Sequence, residues 1–400
     1  MRKMVGSSSV STGKAIGFLL CGVVAILLAV VPASGQQPPI KIAIVEDLTG
    51  ALSGPGTFMK DGALLAVNEI NAKGGILGRK IETSVYDTQS DPPTSIAVMR
   101  RALNDKPFAV VGPVFSSNAV ANMYLAQEAG VPQFIGAEAA IITQKGNPDV
   151  FRTSFTQSIS MAKFAKWMAE DLKADKVAVI WGNDAYGKGG WDVFNKEWQD
   201  RGKSVLINIP TENGQVDFTA ELTKVKNSGA TTLFIYIHEE ECARLMAQLR
   251  KMGLQFDHIV GETNLCTQQT IELAKKDLDG VQCHVGLTAD APKMRPVAEK
   301  FFAQTKQVAD HNTIKGYLAP YMVKYAAEAT GGFDQAKFRS CLHGLYMEAA
   351  KEPGMLQDTY MDDNGDIDRD SFIVEVKDGK ALVIKTLAML RTDYPRKSCK

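Results

Sequence analysis

From residue 40 onward, short apolar runs alternate with stretches whose apolar residues recur every three or four positions. The first pattern predicts strands and the second amphipathic helices. A first series reads strand 41–45, helix 57–72, strand 81–86, helix 95–103, an apolar run ending at Gly112-Pro113, helix 116–128 and strand 131–135. A second begins after Arg152: helix 159–172, strand 176–180, helix 189–199, strand 204–207, helix 218–226, strand 232–237, helix 241–252 and strand 258–260. Regular alternation of this kind implies a parallel sheet with helices on both faces, here in two copies of one α/β architecture. The C-terminal third changes character. Helical patterns cover 294–306, 314–328 and 334–348, and 357–386 reads as antiparallel strands with turns at Asn364-Gly365 and Asp378-Gly379.

The stretch F-A-V-V-G-P-V-F-S-S-N-A, residues 108–119, stands out within the first series. A strand that ends at Gly112-Pro113 and restarts as a helix at Ser116 points free helix N–H groups, with the Ser116 and Ser117 hydroxyls, above the strand ends. That is a cradle for a carboxylate or another anion. The simpler role for either serine is to cap the helix.

Composition changes little in this picture. Four hundred residues, 45% apolar and 22% charged, suit a globular chain of about two domains. Basic and acidic residues are equal at 45 each, so no nucleic-acid partner is expected. The N-terminus is different. Arg2, Lys3 and Lys14 precede an uncharged run over 15–31, followed by Pro32 and the small residues Ala33, Ser34 and Gly35. This is the pattern of a secretory signal cleaved after Gly35. Cys21 follows two leucines inside the apolar run, which is not the setting of a lipidated cysteine. The mature chain keeps 42 basic against 45 acidic residues, a net charge of −3.

Five cysteines remain after cleavage: Cys242, Cys266, Cys283, Cys341 and Cys399. An oxidising compartment favours pairing, and an odd count leaves one thiol over. Two pairs are expected: Cys242 with Cys266, each just after a predicted strand, and Cys341 with Cys399. No C-x-x-C spacing or nearby histidine suggests zinc. Asp362, Asn364, Asp366 and Asp368 lack the Gly and Glu that a calcium loop requires and fit a hairpin turn instead. No metal and no cofactor is expected. Nucleophile elbows, Walker loops and dinucleotide fingerprints are missing.

The stretches K-I-A-I-V-E-D-L-T-G-A-L-S-G-P (41–55) and N-E-I-N-A-K-G-G-I-L-G-R-K-I (68–81), then Tyr86-Asp87, V-G-P-V-F-S-S, Asp184-Ala185-Tyr186-Gly187 and Asp217-Phe218, carry a resemblance. The chain resembles the periplasmic substrate-binding proteins of branched-chain amino acid ABC transporters over essentially its whole mature length. The resemblance implies an α/β fold of two doubly wound, Rossmann-like lobes joined by a three-crossing hinge, with the ligand cleft between them. Lobe 1 would comprise 36–155 plus 286–356, and lobe 2 would comprise 156–285 plus 357–400. It implies a monomer in the periplasm that captures a small molecule, an amino acid or an amide, and delivers it to membrane permease subunits without chemistry of its own. A ligand-sensing receptor of the same fold and a secreted hydrolase are the alternatives.

Carried over residue by residue, the resemblance assigns Ser116 to the ligand carboxylate, with Ser117 beside it, and the small-residue turn to Gly136, Ala137 and Glu138. It assigns the lobe-2 tyrosine to Tyr186, a second aromatic position to His238 and the acid for the ligand ammonium to Glu262. Glu138 and His238 depart from the family pattern, and three glutamates follow His238. A carboxylate at 138 would repel a ligand carboxylate, which turns the expectation away from leucine, isoleucine and valine.

Overall fold

The computed structural model describes residues 37–399. The expected signal segment lies outside these. The first half of the chain runs β1 (Ile40–Glu46), α1 (Ser53–Ala72), β2 (Ile81–Asp87), α2 (Pro92–Asn104), β3 (Ala109–Val111), α3 (Ser116–Ala129), β4 (Gln133–Ile135), α4 (Ile141–Gln144) and β5 (Val150–Arg152). These five strands form one parallel sheet in the order β2-β1-β3-β4-β5. All but Lys41 of β1 is buried, as expected of a strand covered by helices on both faces.

The chain then enters a second sheet through α5 (Gln157–Glu170), β6 (Val177–Gly182), α6 (Ala185–Asp200), β7 (Val205–Thr211), α7 (Thr219–Asn227), β8 (Thr232–Tyr236), α8 (Glu239–Lys251), β9 (His258–Glu262), α9 (Gln268–Ala274) and β10 (Gln282–Val285). It returns to the first lobe as α10 (Arg295–Thr305), α11 (His311–Thr330) and α12 (Gln335–Leu342). A small antiparallel sheet follows, made of β11 (Tyr346–Met347), β12 (Thr359–Met361) and β13 (Ile367–Asp368). Then come β14 (Ser371–Lys377), antiparallel to β10, and β15 (Lys380–Leu387), antiparallel to β14 and joined to it at Asp378 and Gly379, both at positive φ. The second sheet is ordered β15-β14-β10-β9-β8-β6-β7. In each sheet the order reverses beside its first strand, between β1 and β3 and between β6 and β8. Open α/β sheets bind ligands at such switch points.

Helix α11 is buried over most of its length and crosses α1 at very short range. A Cβ on Gly62 would lie 2.0 Å from the Thr313 carbonyl oxygen, and one on Gly316 would lie 1.8 Å from that of Met59. The paired glycines bring the helices together and leave Asn312 and Lys315, one turn apart, at the end of the sheet where β1 and β3 finish.

Three sequence expectations are corrected. The helix expected over 334–348 stops at Leu342, because His343 is extended and Gly344 takes φ 72°, and the chain continues as β11. Strands β5 (V-F-R) and β10 (Q-C-H-V) are short and carry polar residues, so neither reads as an apolar run. The missing β10 also explains the disulfide. Cys283 on β10 lies beside β9 and pairs with Cys266 at a Cα separation of 6.1 Å, not Cys242 with Cys266. Cys242 is free and buried, with its thiol 3.6 Å from the Ile237 carbonyl oxygen. Cys341 pairs with Cys399. In the β12–β13 turn, Asp362 accepts two backbone N–H bonds, while Asp366 and Asp368 are bound to Arg152 and Lys163. Among the described residues no helix is long and apolar enough to cross a membrane, and no group of acidic, histidine or cysteine side chains is placed to hold a metal.

Candidate functional site

The turn after β3 is anchored from beneath by two buried carboxylates at the end of β1. Glu46 Oε2 accepts from the Val114 N–H at 3.1 Å, and Asp47 Oδ2 accepts from the Phe115 N–H at 2.9 Å. Burial pushes both carboxyls above the usual range, Glu46 further because Asp47 stands beside it. Phe115 occupies the cap of α3, so Ser116 is the first helical residue and does not cap. Its Oγ accepts instead from the N–H groups of Glu138 and Ala139, at 3.3 and 3.2 Å, which ties the helix start to the turn after β4. That turn is fixed on its far side by Arg152, fully buried, which donates to the Ala137 and Ala139 carbonyls. Gly136 has no room for a side chain, since a Cβ would meet the Met59 sulfur at 2.4 Å.

Glu138 is 4% exposed. Its Oε1 lies 2.8 Å from Lys315 Nζ and 3.0 Å from His311 Nε2, and it accepts from the Ser154 hydroxyl at 2.9 Å. Burial alone would raise this carboxyl, but the charge of Lys315 and then the His311 bond outweigh it and hold Glu138 well below the usual carboxylate range. Burial and the same Lys315 depress His311 to about 4, so its ring is neutral at pH 7. Glu138 and Lys315 thus form a neutral pair, and Glu138 presents no uncompensated charge to a ligand carboxylate.

The opposite wall comes from the ends of β6 and β8. Asp184 caps α6 through the Gly187 N–H at 2.7 Å, and its second oxygen lies 2.6 Å from His238 Nε2. Burial would lower His238, but Asp184 overrides it and raises the imidazole to about 9, so it is a cation at neutral pH. The His238 ring stacks on Tyr186 and meets Phe115 of the other lobe edge-on, with ring centres 5.3 and 5.8 Å apart. Tyr186 in turn stacks on Tyr236 at 4.3 Å, and its hydroxyl has no hydrogen-bond partner among the described residues. Gln157 spans the two lobes. Its Oε1 accepts from Ala140 N–H, and its Nε2 donates to the Tyr186 carbonyl and the Tyr236 hydroxyl.

Between these walls lies a narrow cavity of about 30 Å³. Of the residues expected at the ligand, Ser116, Gly136, Glu138, Tyr186 and His238 line it together. Ser117, Ala137 and Glu262 do not. Ser117 lies on the neighbouring face of α3, and Ala137 contributes its carbonyl to Arg152. Glu262 is bound at 2.9 Å to His284 Nδ1, while its Oε2 has no partner. Burial and then Glu138 raise its carboxyl well above the usual range. His284 Nε2 lies 2.8 Å from the Ser371 hydroxyl.

The structure adds Leu52, Glu239, Asn264, Asn312 and Lys315 to the lining. Lys315 was legible in principle, as a lone cation in a helix whose other positions near it, I-K-G-Y-L-A-P-Y-M-V, are apolar all round. Asn264 follows β9 in a 3₁₀ turn that no sequence pattern marks.

Residues 39–381 match the protein family described as periplasmic binding protein. The leucine-, isoleucine-, valine-, threonine-, and alanine-binding protein of Pseudomonas aeruginosa is 26% identical over 311 residues, 77% of this chain and 83% of the relative. A Leu/Ile/Val-binding protein homolog of Brucella melitensis is 29% identical over 358 residues, 87% of this chain and 94% of the relative. Among solved structures, a leucine binding protein of Thermotoga maritima superimposes with a TM-score of 0.79 at 23% identity, covering 87% of this chain and 99% of its own. A solute binding protein from R. palustris in complex with benzoate gives 0.79 at 19% identity, covering 89% of this chain and 98% of its own.

Proposed function

The chain belongs to the periplasmic binding protein family, the solute-binding components of ABC importers, and from that premise we propose that it captures an amino acid or a closely related amide in the cleft between its lobes. The observation that carries this reading is a cavity at the switch points of both sheets whose walls bring hydrogen-bonding side chains from each lobe. On the first lobe, the start of α3 and the Lys315 ammonium suit a carboxylate or an amide oxygen. On the second, Glu262 is proposed for the ligand ammonium, reached from behind the cavity wall where it now binds His284. Ser117 and Ala137 support the binding residues from behind.

The mature protein is proposed to begin near Gln36, to be a periplasmic monomer and to deliver its ligand to permease subunits. Its lobes are proposed to divide at 36–155 plus 286–356 and 156–285 plus 357–400. Ser371, His284 and Glu262 do have the order of a hydrolytic triad. All three are buried, and Phe155 stacks on His284 at 5.2 Å, so the group reads as a hydrogen-bonded core rather than as a nucleophile awaiting substrate.

A thermal-shift screen of amino acids and small amides tests the reading. A ligand at a hundred times its dissociation constant adds about 2.7 kcal/mol of stability. Absence of stabilisation by every compound would overturn it. For a ligand found in this way, solution scattering checks lobe closure, which requires a smaller radius of gyration at saturation.

A further inference from the structure

The three consecutive glutamates that open α8 have three different fates. Glu241 folds back on its own helix end, accepting from the N–H groups of His238 and Gly214. Glu240 is exposed and pairs with Arg244 at 2.6 Å. Glu239 is only 4% exposed, and no hydrogen-bond donor of another described residue reaches its carboxyl. It lines the cavity described above and also a second, adjoining one. The two share Leu52, Pro55, Phe115, His238 and Glu239, so Glu239 sits at the neck between them.

The adjoining cavity mixes Ala51, Leu52, Pro55 and Phe115 with the polar Asn213, Arg244 and Gln269 and with Glu240 and Glu241. A side chain leaving the first cavity therefore passes a buried carboxyl whose only donor is its own backbone N–H. An acid removed from water with too few donors is destabilising until another is supplied. We propose that Glu239 receives a hydrogen-bond donor, neutral or cationic, carried on the side chain of the bound amino acid. This rests on the amino-acid reading above and adds to it a second donor, distinct from the ligand's α-ammonium.

The charged groups around Glu239 are compatible with this role. His238 beside it is already paired with Asp184, Lys315 of α11 is paired with Glu138, and Asp310 of α11 is bound by its own helix start. Glu240, Glu241 and Arg244 of α8 are engaged as described. The α9 residues nearest, Gln269 and Thr270, are uncharged. Burial, moderated by His238, raises the Glu239 carboxyl to about 7. A cationic side chain bound at pH 7 would therefore drive a proton off.

Calorimetry with L-lysine, L-glutamine and L-leucine, in two buffers of different ionisation enthalpy, tests this on the mature protein and on Glu239→Gln and Glu272→Gln. The expected result is at least tenfold tighter binding of lysine or glutamine than of leucine, with proton release for lysine. Glu239→Gln should abolish the proton release and weaken lysine at least tenfold while changing leucine by less than twofold. Glu272→Gln, which removes the same charge from an exposed position of α9 outside both cavities, should change none of these. Leucine bound as tightly as the other two, or lysine binding and proton release unaltered in Glu239→Gln, overturns the inference and leaves the amino-acid reading standing. Failure of all three, and of the wider amino-acid screen, overturns both.

Discussion

Lys315 Nζ lies 2.8 Å from Glu138 Oε1 with both side chains about 5% exposed, so a cation from α11 and an acid from the β4 turn neutralise each other at the wall of the cleft. The pair removes the repulsion that Glu138 alone would direct at a ligand carboxylate. Breaking a buried pair by deleting one partner costs about 3–5 kcal/mol, because the survivor is left charged and dry. Lys315→Met is expected to destabilise the protein by that order in chemical denaturation at pH 7. Its effect should shrink on acidification. Glu138 is depressed in the folded state, so its stabilisation is present above its ordinary value of 4.5 and is lost as pH falls below it.

Glu239 has the opposite sign. Its folded value of about 7 lies above the ordinary 4.5, so the unliganded protein loses stability as pH rises through this window. Glu239→Gln should stabilise the unliganded protein by about 2–3 kcal/mol at pH 8 and by little at pH 4.5. Thermal unfolding at the two values is the check, and an equal shift at both would contradict the buried, unpaired state of this acid.

His238 is raised from 6.5 to about 9 by Asp184, so the pair stabilises fully below 6.5 and the contribution is lost as pH rises through 9. Nitrogen-15 NMR of the imidazoles should show one ring titrating near 9. In Asp184→Asn that midpoint should fall, since the ring loses its main stabilising partner while burial and the weaker pull of Glu241 and Glu239 remain.

The crossing of α1 and α11 makes Gly316 a sharp test of packing. Alanine is favoured over glycine in a helix by about 1 kcal/mol. Here the added Cβ would lie 1.8 Å from the Met59 carbonyl oxygen, which no side-chain movement can relieve. The clash should win. Gly316→Ala is expected to cost about 3 kcal/mol or more in denaturant unfolding, within the large-effect class of overpacked sites. It should also weaken ligand binding, because Lys315 moves with α11.

Thiol chemistry checks the cysteine framework. The mature oxidised protein should react with a thiol reagent hardly at all when folded, since Cys242 is buried, and should yield one thiol per chain when unfolded without reductant. Three thiols would mean that one of the two bridges does not form. Intact mass on the same sample should show the loss of residues 1–35.

The amino-acid sequence by itself determined the α/β class, the doubled series of strands and helices and the turn at Ser116, because each is written in local periodicity and in Gly-Pro punctuation. It also placed Tyr186 and His238 after strand ends, where a parallel sheet presents its loops. What only the tertiary structure decided depends on contacts remote in sequence. Glu138 and Lys315 are 177 positions apart, and only the α1–α11 crossing at Gly62 and Gly316 makes them a neutral pair. Glu262 belongs to His284 because β10, whose Q-C-H-V is no apolar run, lies beside β9. The three glutamates of α8 are identical in sequence, and the direction each takes from the helix start gives one to the backbone, one to Arg244 and one to the cleft.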